Sequence, residues 1–146
     1  MIAEFSNIKI LKITKLIFQL DREVIMMKEM LYESELKVLE LLWKEGDITA
    51  KDLSIKLNES IAWNKSTTYT IIKRCVDKGL IERLEPDFTC RATLTKEEAR
   101  KQESEILADK MFDGSSDLLI ASLLGNSKMT TAQIEKLQKM VQEFNS

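Results

Sequence analysis

The chain has 146 residues, enough for one domain or two small ones, and 44% of it is apolar, so a sizeable core can form. Four glycines and one proline are too few for an all-β fold with many tight turns and point to a helical protein. The absence of histidine excludes His-based acid–base catalysis, Ser-His triads and most zinc sites, and a net charge of −2 excludes a chain that is basic throughout.

Any nucleic-acid site must therefore be local. The two cysteines, Cys75 and Cys90, form no CxxC pair and make a poor metal site. As free buried thiols they suit a reducing cytoplasm. No nucleophile–base pair, no phosphate-binding Gly loop and no metal set is visible, so neither an enzyme, a cofactor nor a small-molecule substrate is expected.

Residues 1–26 differ in kind from the rest. Ile8, Ile10, Leu11, Ile13, Leu16, Ile17 and Phe18 are interleaved with Lys9, Lys12 and Lys15. No charge-free run reaches the roughly 18 residues of a membrane span. A signal peptide would need an uninterrupted apolar centre and a small-residue cleavage site, and neither is clear. The segment reads either as a surface-seeking amphipathic helix or as a loosely attached extension from a mis-called start, with translation beginning at Met26, Met27 or Met30.

A first helix is expected from Ser34, as N-cap, to Glu45. Leu36, Leu39, Leu42 and Trp43 recur at helical spacing, flanked by Val38 and Leu41. Trp43 reads as a core anchor, and Gly46 ends the helix. Thr49, with Asp52 three residues on, caps a second helix over Ala50 to Leu57, ended by Asn58. A short loop, Glu59 to Asn64, leads to Trp63-Asn64-Lys65-Ser66-Thr67-Thr68-Tyr69-Thr70-Ile71-Ile72-Lys73-Arg74.

This last stretch organises the chain. Thr67, Ile71 and Cys75 recur in steps of four, with Ile72 and Val76 beside them. Ser66, Thr68, Tyr69, Thr70, Lys73 and Arg74 make the other side. From Ile61 to Val76 there are three cations and no acid, in a chain that is 32% charged. A helix that faces phosphates excludes carboxylates because each repels the backbone. Taken alone the pattern also fits an ordinary amphipathic helix with a Thr-rich solvent face. Helix, short connection, helix is the helix-turn-helix layout, in which the second helix reads the major groove.

Gly79 closes that helix. Leu80-Ile81-Glu82-Arg83-Leu84 has strand character, Glu85-Pro86-Asp87 is turn chemistry, and Phe88 to Leu94 runs back as the partner strand. A hairpin after a reading helix is a wing. Arg83 or Arg91 can reach DNA from it, or the hairpin merely closes the core; mixed use, with Arg91 toward DNA, is expected.

Thr95-Lys96-Glu97-Glu98 is a capping box that opens a helix to about Phe112. Asp113-Gly114-Ser115-Ser116 breaks it. Asp117 to Leu124 is a short apolar helix, Gly125-Asn126-Ser127 a loop, and Thr130-Thr131-Ala132-Gln133 the capping box of a last helix. Leu119, Leu123, Ile134, Leu137 and Val141 cannot all hide in so thin a layer, and exposed apolar area of this kind marks an interface. A homodimer is the simplest partner, and twofold symmetry suits a palindromic operator. Packing back on the first domain is the alternative.

The segments Glu35-Leu36-Lys37-Val38-Leu39-Glu40-Leu41-Leu42-Trp43, Lys65-Ser66-Thr67-Thr68-Tyr69-Thr70 after Trp63, Lys78-Gly79-Leu80-Ile81, Thr95-Lys96-Glu97-Glu98 and Lys110-Met111-Phe112-Asp113-Gly114-Ser115 together resemble the penicillinase repressor family (the BlaI/MecI type). The likeness runs in matching order over about residues 30–144. It implies a mainly α fold with a small β-hairpin wing: a winged helix-turn-helix DNA-binding domain over residues 27–95 and a helical dimerisation domain over 96–146, after the 1–26 extension. It implies cytoplasmic repressors of resistance genes that bind inverted-repeat operators. In the best-known systems a membrane sensor-protease detects β-lactam, and the repressor is cleaved and released.

By the resemblance, Thr67, Thr70 and Arg74 fall on family positions in the reading helix. Ser66 stands where such repressors often carry Lys, so the operator is expected to differ. The family's Asn-Phe cleavage bond matches Ile106-Leu107 here, a departure that sets the proteolytic switch apart. A copper-responsive branch carries a C-terminal cysteine cluster, which this chain lacks after Cys90.

The leading expectation is thus a dimeric, sequence-specific repressor on double-stranded operator DNA of antibiotic-resistance or cell-wall stress genes. Lys65, Ser66, Lys73 and Arg74 would hold phosphates, Thr67, Tyr69 and Thr70 would meet base edges, and Arg91 would reach from the wing. The rival is a winged-helix adaptor for protein partners that has lost DNA binding, in keeping with the acidic chain and Ser66.

Overall fold

The computed structural model describes residues 2–125 and 128–145, with the side chains of residues 2–6 and 21–29 outside the description. Its elements are α1 (Ile2–Glu29), α2 (Glu33–Glu45), β1 (Ile48–Thr49), α3 (Ala50–Ile61), α4 (Lys65–Asp77), β2 (Ile81–Leu84), β3 (Thr89–Ala92), α5 (Lys96–Met111), α6 (Ser116–Gly125) and α7 (Thr131–Asn145). The strands form one antiparallel sheet in the order β1-β3-β2. Three helices, a hairpin and a short third strand make a winged helix, and three more helices follow it. The chain divides into two compact units, residues 1–106 and 107–146.

The first unit has a closed core. Val38, Leu39 and Leu42 from α2, Ala50, Leu53 and Leu57 from α3, and Ile71, Ile72 and Cys75 from α4 meet Ile81 and Cys90 from the sheet. Burying a side chain the size of Leu39, Leu53 or Ile72 contributes about 1.5–3 kcal/mol. Trp43 packs on this core as expected, and its indole Nε1–H donates to the Leu94 carbonyl at 2.9 Å, tying α2 to the end of the wing.

Several local expectations shift. α2 is capped by Tyr32, not Ser34: the Tyr32 N–H donates to Glu35 Oε1 at 2.9 Å, while the Ser34 hydroxyl accepts from Arg74. The first-turn position that faces inward is Glu35, not Leu36, because the buried stripe runs 35, 38, 39, 42. Gly46 does end α2, at φ +82 but with an extended ψ, and its N–H donates to the Leu42 carbonyl.

Thr49 caps α3 by accepting from the Asp52 N–H at 3.1 Å. α3 then runs past Asn58 to Ile61, and Ala62 ends it in the left-handed region. Ile48 pairs with Cys90 and adds β1 to the wing. In the hairpin, Ile81 pairs with Ala92 and Leu84 with Thr89.

The capping boxes at Thr95 and Thr130 form reciprocally. Thr95 N–H meets Glu98 Oε2 at 2.8 Å and Glu98 N–H meets Thr95 Oγ1 at 3.1 Å; Thr130 and Gln133 do the same at 2.9 and 3.2 Å. Asp113 and Gly114 take positive φ where the break after α5 was expected. The expected loop residues Asn126 and Ser127 lie outside the described residues. In α1, every side chain from Asn7 to Leu20 is exposed. No helix among the described residues is long and apolar enough to cross a membrane.

Candidate nucleic-acid interface

α4 starts at Lys65 because Asn64 caps it: the Asn64 carboxamide oxygen accepts from the Thr67 N–H at 2.7 Å. It ends in a Schellman turn, with Gly79 N–H on the Val76 carbonyl and Leu80 N–H on the Cys75 carbonyl. Gly79 sits at φ +76, which a side-chained residue rarely adopts.

Its inward stripe is Thr68, Ile71, Ile72 and Cys75. The expected row began one residue earlier, at Thr67. A core-facing helix repeats at i, i+3, i+4, i+7, and starting that repeat at 68 turns Thr67 outward and Thr68 inward. Thr68 is fully buried and its hydroxyl donates to the Asn64 carbonyl at 3.3 Å, so it leaves the outer face to which it was assigned.

Lys65, Ser66, Thr67, Thr70 and Lys73 are exposed together on the opposite side. The Thr70 hydroxyl donates to the Ser66 carbonyl at 2.9 Å, so its proton is used and its oxygen and methyl remain outward. Tyr69 is half-buried. Its ring meets Phe88 edge-on, centroids 6.0 Å apart, with Lys65 Nζ 5.7 Å from the Tyr69 centroid. Phe88, at the turn of the wing, also carries the Arg83 guanidinium 3.7 Å from its ring centroid. The wing is thereby docked on the first turns of α4, a contact the sequence did not reveal because Phe88 read only as strand.

The arginines are placed differently from the lysines. Arg91 pairs with Asp47 at 2.9 Å, both about half exposed, and Arg83 pairs with Glu85. Arg74 turns away from Thr70. Its terminal nitrogen donates to Ser34 Oγ, its Nε lies 3.6 Å from Glu35 Oε2, and its guanidinium stacks 5.4 Å from the Tyr32 ring centroid. Glu35 is fully buried, and its Oε1 also accepts from Lys78 Nζ at 2.8 Å. The outward positive charge of α4 thus rests on Lys65 and Lys73.

Both thiols are in the core. Desolvation pushes Cys75 up to about 12, with the Glu35 charge adding to it, and pushes Cys90 up to about 11. Neither is a nucleophile near neutral pH. Among the described residues no cluster of three or more acid, Cys or His side chains is fit to hold a metal.

In the second unit no residue of α6 or α7 is buried. Leu119 and Leu137 are half-buried, and Leu123, Ile134 and Val141 are exposed, as is Phe144 at 91%. Ile106 is buried and Leu107 exposed, both within α5, and the division between the two compact units falls between them.

Residues 31–143 match the family model described as penicillinase repressor. The chain is 19% identical over 116 residues to the penicillinase repressor of Bacillus licheniformis, covering 78% of this chain and 91% of that one. It is 26% identical over 110 residues to an uncharacterized 16.5 kDa protein in the ptsI 3' region of Latilactobacillus sakei, covering 74% of this chain and 75% of that one. A winged helix followed by helices, matched over most of its length to this model, belongs to the penicillinase repressor family of transcriptional repressors.

Proposed function

We propose that this protein is a dimeric, sequence-specific DNA-binding repressor that reads an inverted-repeat operator of antibiotic-resistance or cell-wall stress genes from the cytoplasm. The observation that carries it is the exposed face of α4. Lys65, Ser66, Thr67, Thr70 and Lys73 lie together there, and no acid occurs between Ile61 and Val76. Thr67 and Thr70 present methyls and hydroxyl oxygens to base edges and thymine methyls, with Tyr69 beside them. Lys65, Ser66 and Lys73 hold phosphates and set the register. Arg91 reaches DNA from the wing only by exchanging Asp47 for a phosphate. An exposed pair of that kind is worth about 1 kcal/mol or less, so the exchange is cheap.

Two lysines per copy give a modest field, and two copies double it. The second copy docks on Leu119, Leu123, Ile134, Leu137 and Val141, which find no interior within their own unit. The family resemblance adds a sensor-protease pathway as an upstream partner. Scission at Ile106-Leu107 would cut α5 where the two units divide and release the reading unit from its dimerising half.

The test is a gel shift of the full chain on the promoter of its own operon, at two salt concentrations. Specific retardation is expected. Lys73→Ala should weaken binding to all sequences alike and flatten the salt slope by about one. A folded, dimeric chain that shifts no DNA at either salt would sink the repressor reading in favour of an adaptor for protein partners.

A further inference from the structure

Glu35 occupies the place in α2 where packing alone calls for a leucine. The stripe 35, 38, 39, 42 faces the core, and Glu35 is as fully buried as Val38 and Leu39. Taking a carboxylate out of water costs several kcal/mol unless partners compensate it, and an apolar residue of similar size would pack there without that cost. The charge therefore does something that packing does not.

Its partners show what. Oε1 is satisfied twice, by the Tyr32 N–H and by Lys78 Nζ, and Lys78 also donates to the Met30 carbonyl at 2.8 Å. Oε2 faces Arg74 Nε at 3.6 Å, and neither of these two atoms has a hydrogen-bond partner although both are buried. Lys78 is thus tightly locked, its side chain 14% exposed, whereas Arg74 is 40% exposed and held by Ser34 and by attraction across that gap. Arg74 lies one helical turn beyond Thr70, the last outward hydroxyl of α4. Without the carboxylate, nothing but one hydroxyl and the Tyr32 ring would keep the guanidinium from a phosphate.

We infer that Glu35 is a positioning residue of the reading helix: it fixes α4 on the start of α2 and withholds Arg74 from the phosphate backbone. This rests on the DNA-binding reading above. A phosphate contact adds affinity to every sequence equally, so withholding one lowers sequence-independent binding and leaves the discrimination of Thr67 and Thr70 intact.

The experiment measures binding of the full chain to its operator and to a scrambled duplex from about 50 to about 200 mM salt. The variants are Glu35→Gln, Glu35→Asp, Arg74→Ala and the double variant Glu35→Gln with Arg74→Ala, each checked for folding by circular dichroism. Glu35→Gln should steepen the salt slope on the scrambled duplex by about one, so that the fall in binding across this salt range grows about three- to fourfold. The slope on the operator should steepen equally, and the ratio of operator to scrambled affinity should stay as in the wild type. Glu35→Asp, which keeps the charge, should keep the wild-type slope.

Arg74→Ala should leave the wild-type slope unchanged but remove the added slope of Glu35→Gln in the double variant. A Glu35→Gln chain that folds and keeps the wild-type slope overturns the inference. If Glu35→Gln does not fold, Arg74→Ala decides alone: a slope flatter by about one means that Arg74 already sits on a phosphate, and the inference falls. A wild-type chain with no salt-dependent binding overturns the DNA-binding reading itself, which that lane identifies separately.

Discussion

The two compact units spend their apolar residues in opposite ways. In residues 1–106, α2, α3, α4 and the sheet enclose Leu39, Leu53, Ile72 and Ile81, each 2% exposed or less. In α6 and α7 the same residue types stay outside: Leu118 is 50% exposed, Leu123 61%, Val141 57% and Phe144 91%. From α2 to the wing the first unit closes a core, although α1 leaves its apolar side chains from Ile8 to Leu20 exposed, whereas in the second unit α6 and α7 have caps and a turn but bury no residue. Secondary structure is therefore not evidence of a finished fold. Ser115 and Thr130 cap α6 and α7 as well as Thr49 caps α3, yet α3 buries Ala50, Leu53 and Leu57 while no residue of α6 or α7 is buried. What α6 and α7 lack is apolar surface to cover them, which the proposed second copy of the chain would supply by symmetry.

Truncating a leucine in each unit separates the two most sharply. Leu53→Ala opens a cavity in a closed core and should cost about 2–5 kcal/mol, read as a lower urea midpoint of the first unit. At Leu123 the same change has no cavity to open in a lone chain. Placing a charge there, Leu123→Lys, or Val141→Lys, should instead split the dimer, removing about 1.5–3 kcal/mol of apolar burial per site. Sedimentation equilibrium should show the monomer, while the first unit melts where the wild type does at the same chain concentration. A Leu123→Lys chain that stays dimeric at low micromolar concentration would put the interface elsewhere.

What the sequence revealed and what it hid follow one physical line. Caps at Thr49, Thr95 and Thr130 were legible because donor and acceptor lie three residues apart. The core face of α3 was legible from its spacing, and that of α2 at Leu39 and Leu42 but not in its first turn. β1 was not: Ile48-Thr49 is too short to show alternation, and its partner Cys90 lies far along the chain. The frame of α4 was read one residue early because threonine fits either face, and only the core decides between Thr67 and Thr68. Arg74 and Arg91 read as free cations because Ser34 and Asp47 lie 40 and 44 residues away from them. Glu35 was hidden for the same reason. An acid in a helix reads as solvated until Lys78, 43 residues on, is brought against it.

A smaller effect refines the contrast. Removing a cap costs about 1 kcal/mol where the helix is part of a cooperative core. Thr49→Ala should therefore lower the urea midpoint of the first unit by that amount. Thr130→Ala should leave that midpoint in place and act on the dimer alone, as a rise in its dissociation constant of about fivefold or less. If Thr130→Ala shifts the melting of the first unit as strongly as Thr49→Ala does, the two units unfold as one and the distinction fails.

The least visible effect near neutral pH separates the units by ionisation. Both cysteines lie in the first unit, and burial raises Cys75 from 9.0 to about 12 and Cys90 from 9.0 to about 11. A thiol held protonated in the folded chain but free to ionise in the unfolded one contributes its full stability below about pH 9. Between there and about pH 11–12 the unfolded chain binds fewer protons than the folded one, so stability falls as pH rises. Other groups ionise in the same range, so the useful quantity is a difference between chains. Cys75→Val with Cys90→Val should flatten the decline of the first unit's melting temperature above about pH 9 and leave it unchanged near pH 8. The second unit, which holds no thiol, should lose dimer in this range equally in both chains. A thiol reagent at about pH 8 should find neither cysteine until the first unit is unfolded, because the reactive form is the thiolate. Rapid labelling of Cys75 in the folded chain would mean that α2 and α4 part from one another far more readily than their packed core and the Glu35 cluster allow.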